Sequence, residues 1–82
     1  MMKKQTFQIA EIYVPTKRRA SIDPVKVAAL AESILEVGLE SPILVRADTN
    51  RFVLVEGLQR LEAHKALGEE TIAGYLVSAR LH

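Results

Sequence analysis

Eighty-two residues leave room for one small domain, taken here as residues 1–82, with a modest core. Hydrophobic residues at 49% and charged residues at 26% fit an ordinary globular chain, and a net charge of +1 gives no bulk pull toward nucleic acid or anionic lipid. The lack of cysteine excludes disulfides, thiol catalysis and thiolate metal sites within the chain. No apolar run reaches bilayer-spanning length, and Glu11 interrupts the N-terminal segment where a signal peptide would be continuously apolar, so a cytoplasmic protein is expected.

The first expected element is a strand from Phe7 to Val14, rich in Phe, Ile, Tyr and Val and closed by Pro15. A basic polar loop, TKRRAS (16–21), follows. Asp23 is a good helix N-cap, and Pro24 fits the first helical position, where its missing N–H is harmless. Val27, Leu30, Ala31, Ile34 and Leu35 recur at helical spacing and predict a core-facing stripe. Gly38 supplies the stop, because glycine adopts a left-handed backbone without a Cβ clash.

PILVRA (42–47) and RFVLVE (51–56) flank Asp48-Thr49-Asn50 and predict a hairpin. A second helix is expected from about Leu58 to Leu67, stopped by Gly68, and TIAGYLVS (71–78) predicts a final strand. The order strand, helix, strand, strand, helix, strand implies a small α/β (α+β) layer: a mixed sheet of about four strands covered by two main helices.

The junction of strand, Gly57 and helix carries the most chemistry. The first N–H groups of a helix have no intrahelical partner, and with the helix dipole they attract anions, phosphate above all. Gly57 would let a ligand approach the backbone, and Arg60, in the first turn, could donate two parallel hydrogen bonds to phosphate oxygens. The plainer alternative is a glycine required by turn geometry beside a solvated arginine. Glu56, just before the glycine, is a candidate catalytic carboxylate, as a water-bridged Mg²⁺ ligand or a proton acceptor. Otherwise it is a sheet-edge carboxylate paired with Arg60. His64 lies one turn after Arg60 and could reach the same ligand, or be a helical spacer; His82, the last residue, has no assigned role. Lys17 to Arg19 form the basic cluster: a solvated loop, one wall of a triphosphate pocket, or a weak contact to a DNA backbone. No His/Asp/Glu spacing marks a zinc site, so no metal ligands are assigned.

From about Ile12 to Val77 the chain resembles the N-terminal domain of the ParB family, part of the ParB/sulfiredoxin superfamily. IYVPTKRRASID (12–23) resembles the opening segment, VAALAESILEVGLESPILVR (27–46) the helix, glycine and proline-led strand, and FVLVEGLQRLEAHKALGEETIAGYLV (52–77) the phosphate segment, whose Gly-x-x-Arg-x-x-Ala core is Gly57, Arg60 and Ala63. The resemblance implies a nucleotide site for CTP or ATP, with Mg²⁺ as a potential companion. Gly57, Gln59 and Arg60 would lie at the phosphates, Arg19 would reach the triphosphate, and Gly38, Ser41 and Pro42 would border base and sugar. Ala63 would be a packing residue.

Partition proteins that hydrolyse CTP carry Glu-Arg where this chain has Leu58 and Gln59. A leucine cannot position water or organise a metal, which argues against hydrolysis of that kind and leaves binding as the expectation. Sulfiredoxins place a catalytic cysteine in this loop, so their reaction is excluded.

Three functions follow as expectations. The first is a nucleotide-responsive regulatory module linked to DNA partition or transcription, switching a protein–protein surface, with homodimer closure as the family's version. The second is a small Mg²⁺-dependent phosphotransferase or nuclease using Glu56. The third is a ligand-free interaction or DNA-accessory domain. DNA would be reached through a partner or a downstream reader module.

Overall fold

The computed structural model describes residues 3–38 and 41–77. Ser78, the expected end of the last strand, and His82 lie outside the described residues. In chain order the elements are β1 (Lys4–Gln8), a 3-10 turn (Ile9–Glu11), β2 (Ile12–Tyr13), α1 (Thr16–Arg19), α2 (Pro24–Val37), β3 (Ile43–Ala47), β4 (Phe52–Glu56), α3 (Leu58–Ala66) and β5 (Thr71–Val77).

The sheet has five strands in the order β1-β5-β3-β4-β2, one more than the sequence suggests. The extra strand comes from the segment expected to be a single strand over Phe7 to Val14. It breaks at Ile9–Glu11, and its two halves go to opposite edges: β1 pairs antiparallel with β5, and β2 pairs parallel with β4. The four residue steps from Gln8 to Ile12 reach at most about 14 Å, whereas four strand spacings in a flat sheet need about 19 Å. The sheet must therefore curl. Phe7 of β1 and Phe52 of β4 confirm the curl, their rings meeting edge to face with centroids 5.0 Å apart.

The interior of the curl is the core. Phe7, Ile9, Ile12, Val14, Ile43, Val45, Leu54 and Ile72 line it from the strands and the segments beside them. Leu58 and Leu61 of α3 enter it, the latter fully buried. β3 lies between β5, to which it is parallel, and β4, with which it forms the predicted hairpin. The turn is closed by Asp48 N–H donating to the Arg51 carbonyl at 2.8 Å.

α2 forms where its capping signals place it. The Asp23 carboxylate accepts from the Val25 and Lys26 amides at 3.0 and 3.4 Å, and Gly38 ends the helix at φ +77°. Its packing differs from the expectation, because α2 rests chiefly on α3 instead of lying on the sheet. Val27, Leu30, Ala31 and Ile34 are half-buried, and Leu35, assigned to the core stripe, is 73% exposed. Ile34→Ala is therefore expected to destabilise by about 1 kcal/mol, not the roughly 2–5 kcal/mol of a fully buried aliphatic; the shift in urea midpoint at unchanged m-value measures it. The KRR segment, expected as a loop, is the single helical turn α1. Among the described residues no helix is long and apolar enough to cross a membrane.

Candidate functional site

α3 begins where β4 ends. Gly57 makes the change of direction at φ +107° and ψ 31°, a left-handed backbone that disfavours any side chain. Space imposes the same demand: a Cβ at Gly57 would lie 2.6 Å from Cγ2 of Ile43. Glycine stands here so that the turn can close onto the first residue of β3. The register sets Leu44 opposite Glu56, so Ser41 and Pro42, which lead into β3, border the junction. Gly38 is further back, at the C-terminus of α2, its N–H donating to the Ile34 carbonyl.

Two helix N-termini meet here, in different states. That of α2 is closed by the Asp23 carboxylate. That of α3 has no side-chain cap, and its first amide with a backbone partner is Leu61, which donates to the Gly57 carbonyl at 2.9 Å. The amides of Leu58, Gln59 and Arg60 have no partner among the described residues and carry the positive end of the helix dipole.

The side chains around this turn fall into two groups. Arg60 is half-buried and makes no hydrogen bond or ion pair with another described residue. Glu56 is exposed and has no hydrogen-bond or ion-pair partner among the described residues, so the pair with Arg60 offered as its alternative reading does not form. Gln59 is engaged. Its Oε1 accepts from the Asp23 N–H and its Nε2 donates to the Ser21 carbonyl, both at 2.8 Å. It thus pins the start of α2 to the first turn of α3, where the sequence expectation had it facing phosphate. Gln59→Ala is expected to destabilise by about 1–2 kcal/mol, since it removes two hydrogen bonds to backbone groups; faster hydrogen exchange at the Asp23 amide is the local readout.

Two expected site residues lie elsewhere. The Arg19 Nε donates to the Val14 carbonyl at 3.0 Å, and its guanidinium lies 5.5 Å from the centre of the Tyr13 ring, beside a separate concavity. The basic residue of this segment that reaches the β4–α3 junction is its neighbour Arg18, whose Nη1 donates to the Val55 carbonyl at 2.6 Å. Successive helical residues point about 100° apart, so one turn of α1 sends the two arginines to different places. His64 is 2% exposed, packed into the protein body and not presented at the surface of the first turn. Among the described residues no group of three or more His, Asp or Glu could hold a metal ion.

Comparison with known proteins agrees with this architecture. The ParB N-terminal domain model matches residues 2–80. A probable chromosome-partitioning protein ParB from Campylobacter jejuni is 40% identical over 62 residues, covering 76% of this chain and 22% of the relative, so the chain spans about a fifth of that protein's length. Sulfiredoxin from Arabidopsis thaliana superposes with a TM-score of 0.82 at 31% identity, over 94% of this chain and 86% of that one. A C-terminally truncated ParB from Caulobacter crescentus, in complex with CTP-γ-S, superposes with a TM-score of 0.74 at 24% identity, over 98% of this chain and 46% of that one. The chain belongs to the ParB N-terminal domain family and has the ParB/sulfiredoxin fold.

Proposed function

We propose that this chain is a nucleotide-binding regulatory module, with the phosphates of CTP or ATP seated on the first turn of α3. The observation that carries the proposal is an uncapped helix start with a half-buried guanidinium, three residues after its glycine, that has no hydrogen-bond or ion-pair partner among the described residues. The amides of Leu58, Gln59 and Arg60 supply directed donors, the Arg60 fork supplies a charged pair, and Arg18 lies at the end of the adjoining strand. Ser41 and Pro42 border base and sugar. Mg²⁺ would be held mainly by the phosphates, with Glu56 the adjacent carboxylate that could reach it through water.

The switch follows from Gln59. An anion that tightens the first turn of α3 acts on the residue that ties Ser21 and Asp23, and so on the start of α2. α2 carries exposed Val25, Leu35 and Val37, a surface able to exchange partners when the helix shifts. In a partition or transcription setting in the cytoplasm the partner surface would be a second copy, with DNA reached through a separate reader.

A second reading, a phosphotransferase or nuclease, is favoured by Glu56 alone, an exposed carboxylate immediately before the phosphate seat. Thermal melts with CTP, ATP, GTP and ADP, with and without Mg²⁺, test the first reading. At a concentration near 100 Kd, binding adds about 2.7 kcal/mol, which raises the Tm of a domain this size by roughly 10–20 °C. Turnover that Glu56→Gln abolishes while the melting shift persists selects the second reading. No shift with any nucleotide at millimolar concentration overturns both.

A further inference from the structure

The protein has a concavity of about 660 Å³. It is bounded by the 3-10 turn and β2, by Arg19 and Ile22 around the α1–α2 connection, by the β3–β4 turn, and by Glu62 and Lys65 of α3. None of Glu56, Gly57, Gln59 or Arg60 lines it. Its volume is in the range of small-molecule sites.

Two cations from separate segments converge on one aromatic ring there. The Arg51 guanidinium carbon is 3.9 Å from the centre of the Tyr13 ring and that of Arg19 is 5.5 Å away. Each arginine is held through its Nε: Arg51 donates to Asp48 Oδ2 at 3.2 Å and Arg19 to the Val14 carbonyl at 3.0 Å. The terminal amino groups of both have no further hydrogen-bond acceptor among the described residues. Like charges brought to one ring repel, and the Arg19 charge meets no carboxylate within ion-pair distance among the described residues. Cation–π attraction to Tyr13 offsets part of that repulsion. A hydrogen bond with Thr16, together with the field of the two arginines, holds the Tyr13 phenol below its usual range.

The other charges narrow the choice of ligand. Lys65 is already paired with Glu62 at 3.1 Å, and Glu11 adds a second carboxylate to the lining. Two carboxylates disfavour a polyphosphate. Ile12, Val14 and Ile22 give the concavity an apolar component suited to an uncharged body.

We propose that this concavity is a second ligand site, for a small organic anion with one acidic group, carboxylate or phosphate, on a flat or apolar body. The acidic head takes the free donors of Arg19 and Arg51, and the body rests on Tyr13 and the aliphatic side chains. The proposal is independent of the nucleotide reading.

Amide chemical shifts of the ¹⁵N-labelled protein test it with three probes of similar shape: phenyl phosphate, benzoate and the neutral benzamide. Saturable shifts at Tyr13, Asn50 and Arg51 are expected with one or both anions and not with benzamide, and the stronger anion identifies the head group. Arg19→Gln combined with Arg51→Gln should weaken binding by about tenfold or more, while Arg60→Ala should leave it unchanged. Both arginines are exposed, so the fold should persist, and the benzamide comparison needs no variant. Equal shifts with benzamide, no shifts with any probe, or binding that survives the double substitution would each overturn the proposal.

Discussion

Gly57→Ala is expected to destabilise the protein by about 2–6 kcal/mol, because a left-handed alanine and a steric overlap are each worth roughly 1–3 kcal/mol. The backbone at φ +107° is one that side chains rarely adopt. The new methyl group would sit 2.6 Å from Cγ2 and 3.0 Å from Cβ of Ile43. Ile43 cannot retreat. It is 1% exposed, and a Cβ built at Gly74 lies only 3.0 Å from its Cγ1, so that side is closed as well. In a domain of this size such a loss lowers the Tm by at least about 10 °C. Gly38→Ala is the matched control: φ is +77° but nothing lies within 4 Å of the added methyl, so only backbone strain remains, about 1 kcal/mol. Melts of the two variants separate the steric requirement from the conformational one. Equal losses would remove the close approach of Ile43 as the reason for glycine at position 57.

Arg60→Ala is expected to leave the fold intact and to weaken nucleotide binding by about 100-fold or more. The fold survives because the side chain makes no hydrogen bond or ion pair with another described residue, and such positions change stability by roughly 0.5–1 kcal/mol. The binding loss is large because two charge-assisted hydrogen bonds to phosphate are removed together, at about 1.5–3 kcal/mol each, with about 1.4 kcal/mol per tenfold change in Kd. Calorimetric titration of wild type and variant with the nucleotide that gives the largest melting shift measures it. Arg60→Lys should recover only part of the affinity, because an ammonium keeps the charge and loses the planar fork.

The parts of this fold that local chemistry determines could be read from the sequence. Asp23, Pro24 and Gly38 place α2 because each acts through its own backbone or the next few residues. The hairpin around Asp48-Thr49-Asn50 and the glycine-led start of α3 are local in the same way. The misjudged parts depend on distant partners. Phe7, Ile9, Ile12 and Val14 all enter the same core, so the segment reads as one β-rich run in spite of the polar Gln8 and Glu11 within it. The break appears only once the two sheet edges must be joined. The α2 stripe has the right period, but its burial is set by α3 beneath it, which leaves Leu35 outside.

The site divides along the same line. Gly57 and Arg60 occupy the first turn of α3 because their spacing is helical, and spacing is visible in a sequence. Which of two adjacent arginines reaches the β4–α3 junction depends on the rotation of a single helical turn, and Arg18 rather than Arg19 is at Val55. Gln59 looks like a phosphate-facing side chain until the Ser21–Asp23 segment folds over it. The concavity at Tyr13 joins residues almost forty positions apart, from β2 and the β3–β4 turn, which no motif could have joined.

The nucleotide reading requires that the first-turn amides of α3, which have no partner among the described residues, seat the phosphates. Amide chemical shifts of Leu58, Gln59 and Arg60 during titration with CTP or ATP test it most directly. Saturable displacement of these three signals is expected, with a midpoint matching the thermal melts and raised about 100-fold or more by Arg60→Ala. Nucleotide binding that moves other signals and leaves these three in place would contradict it.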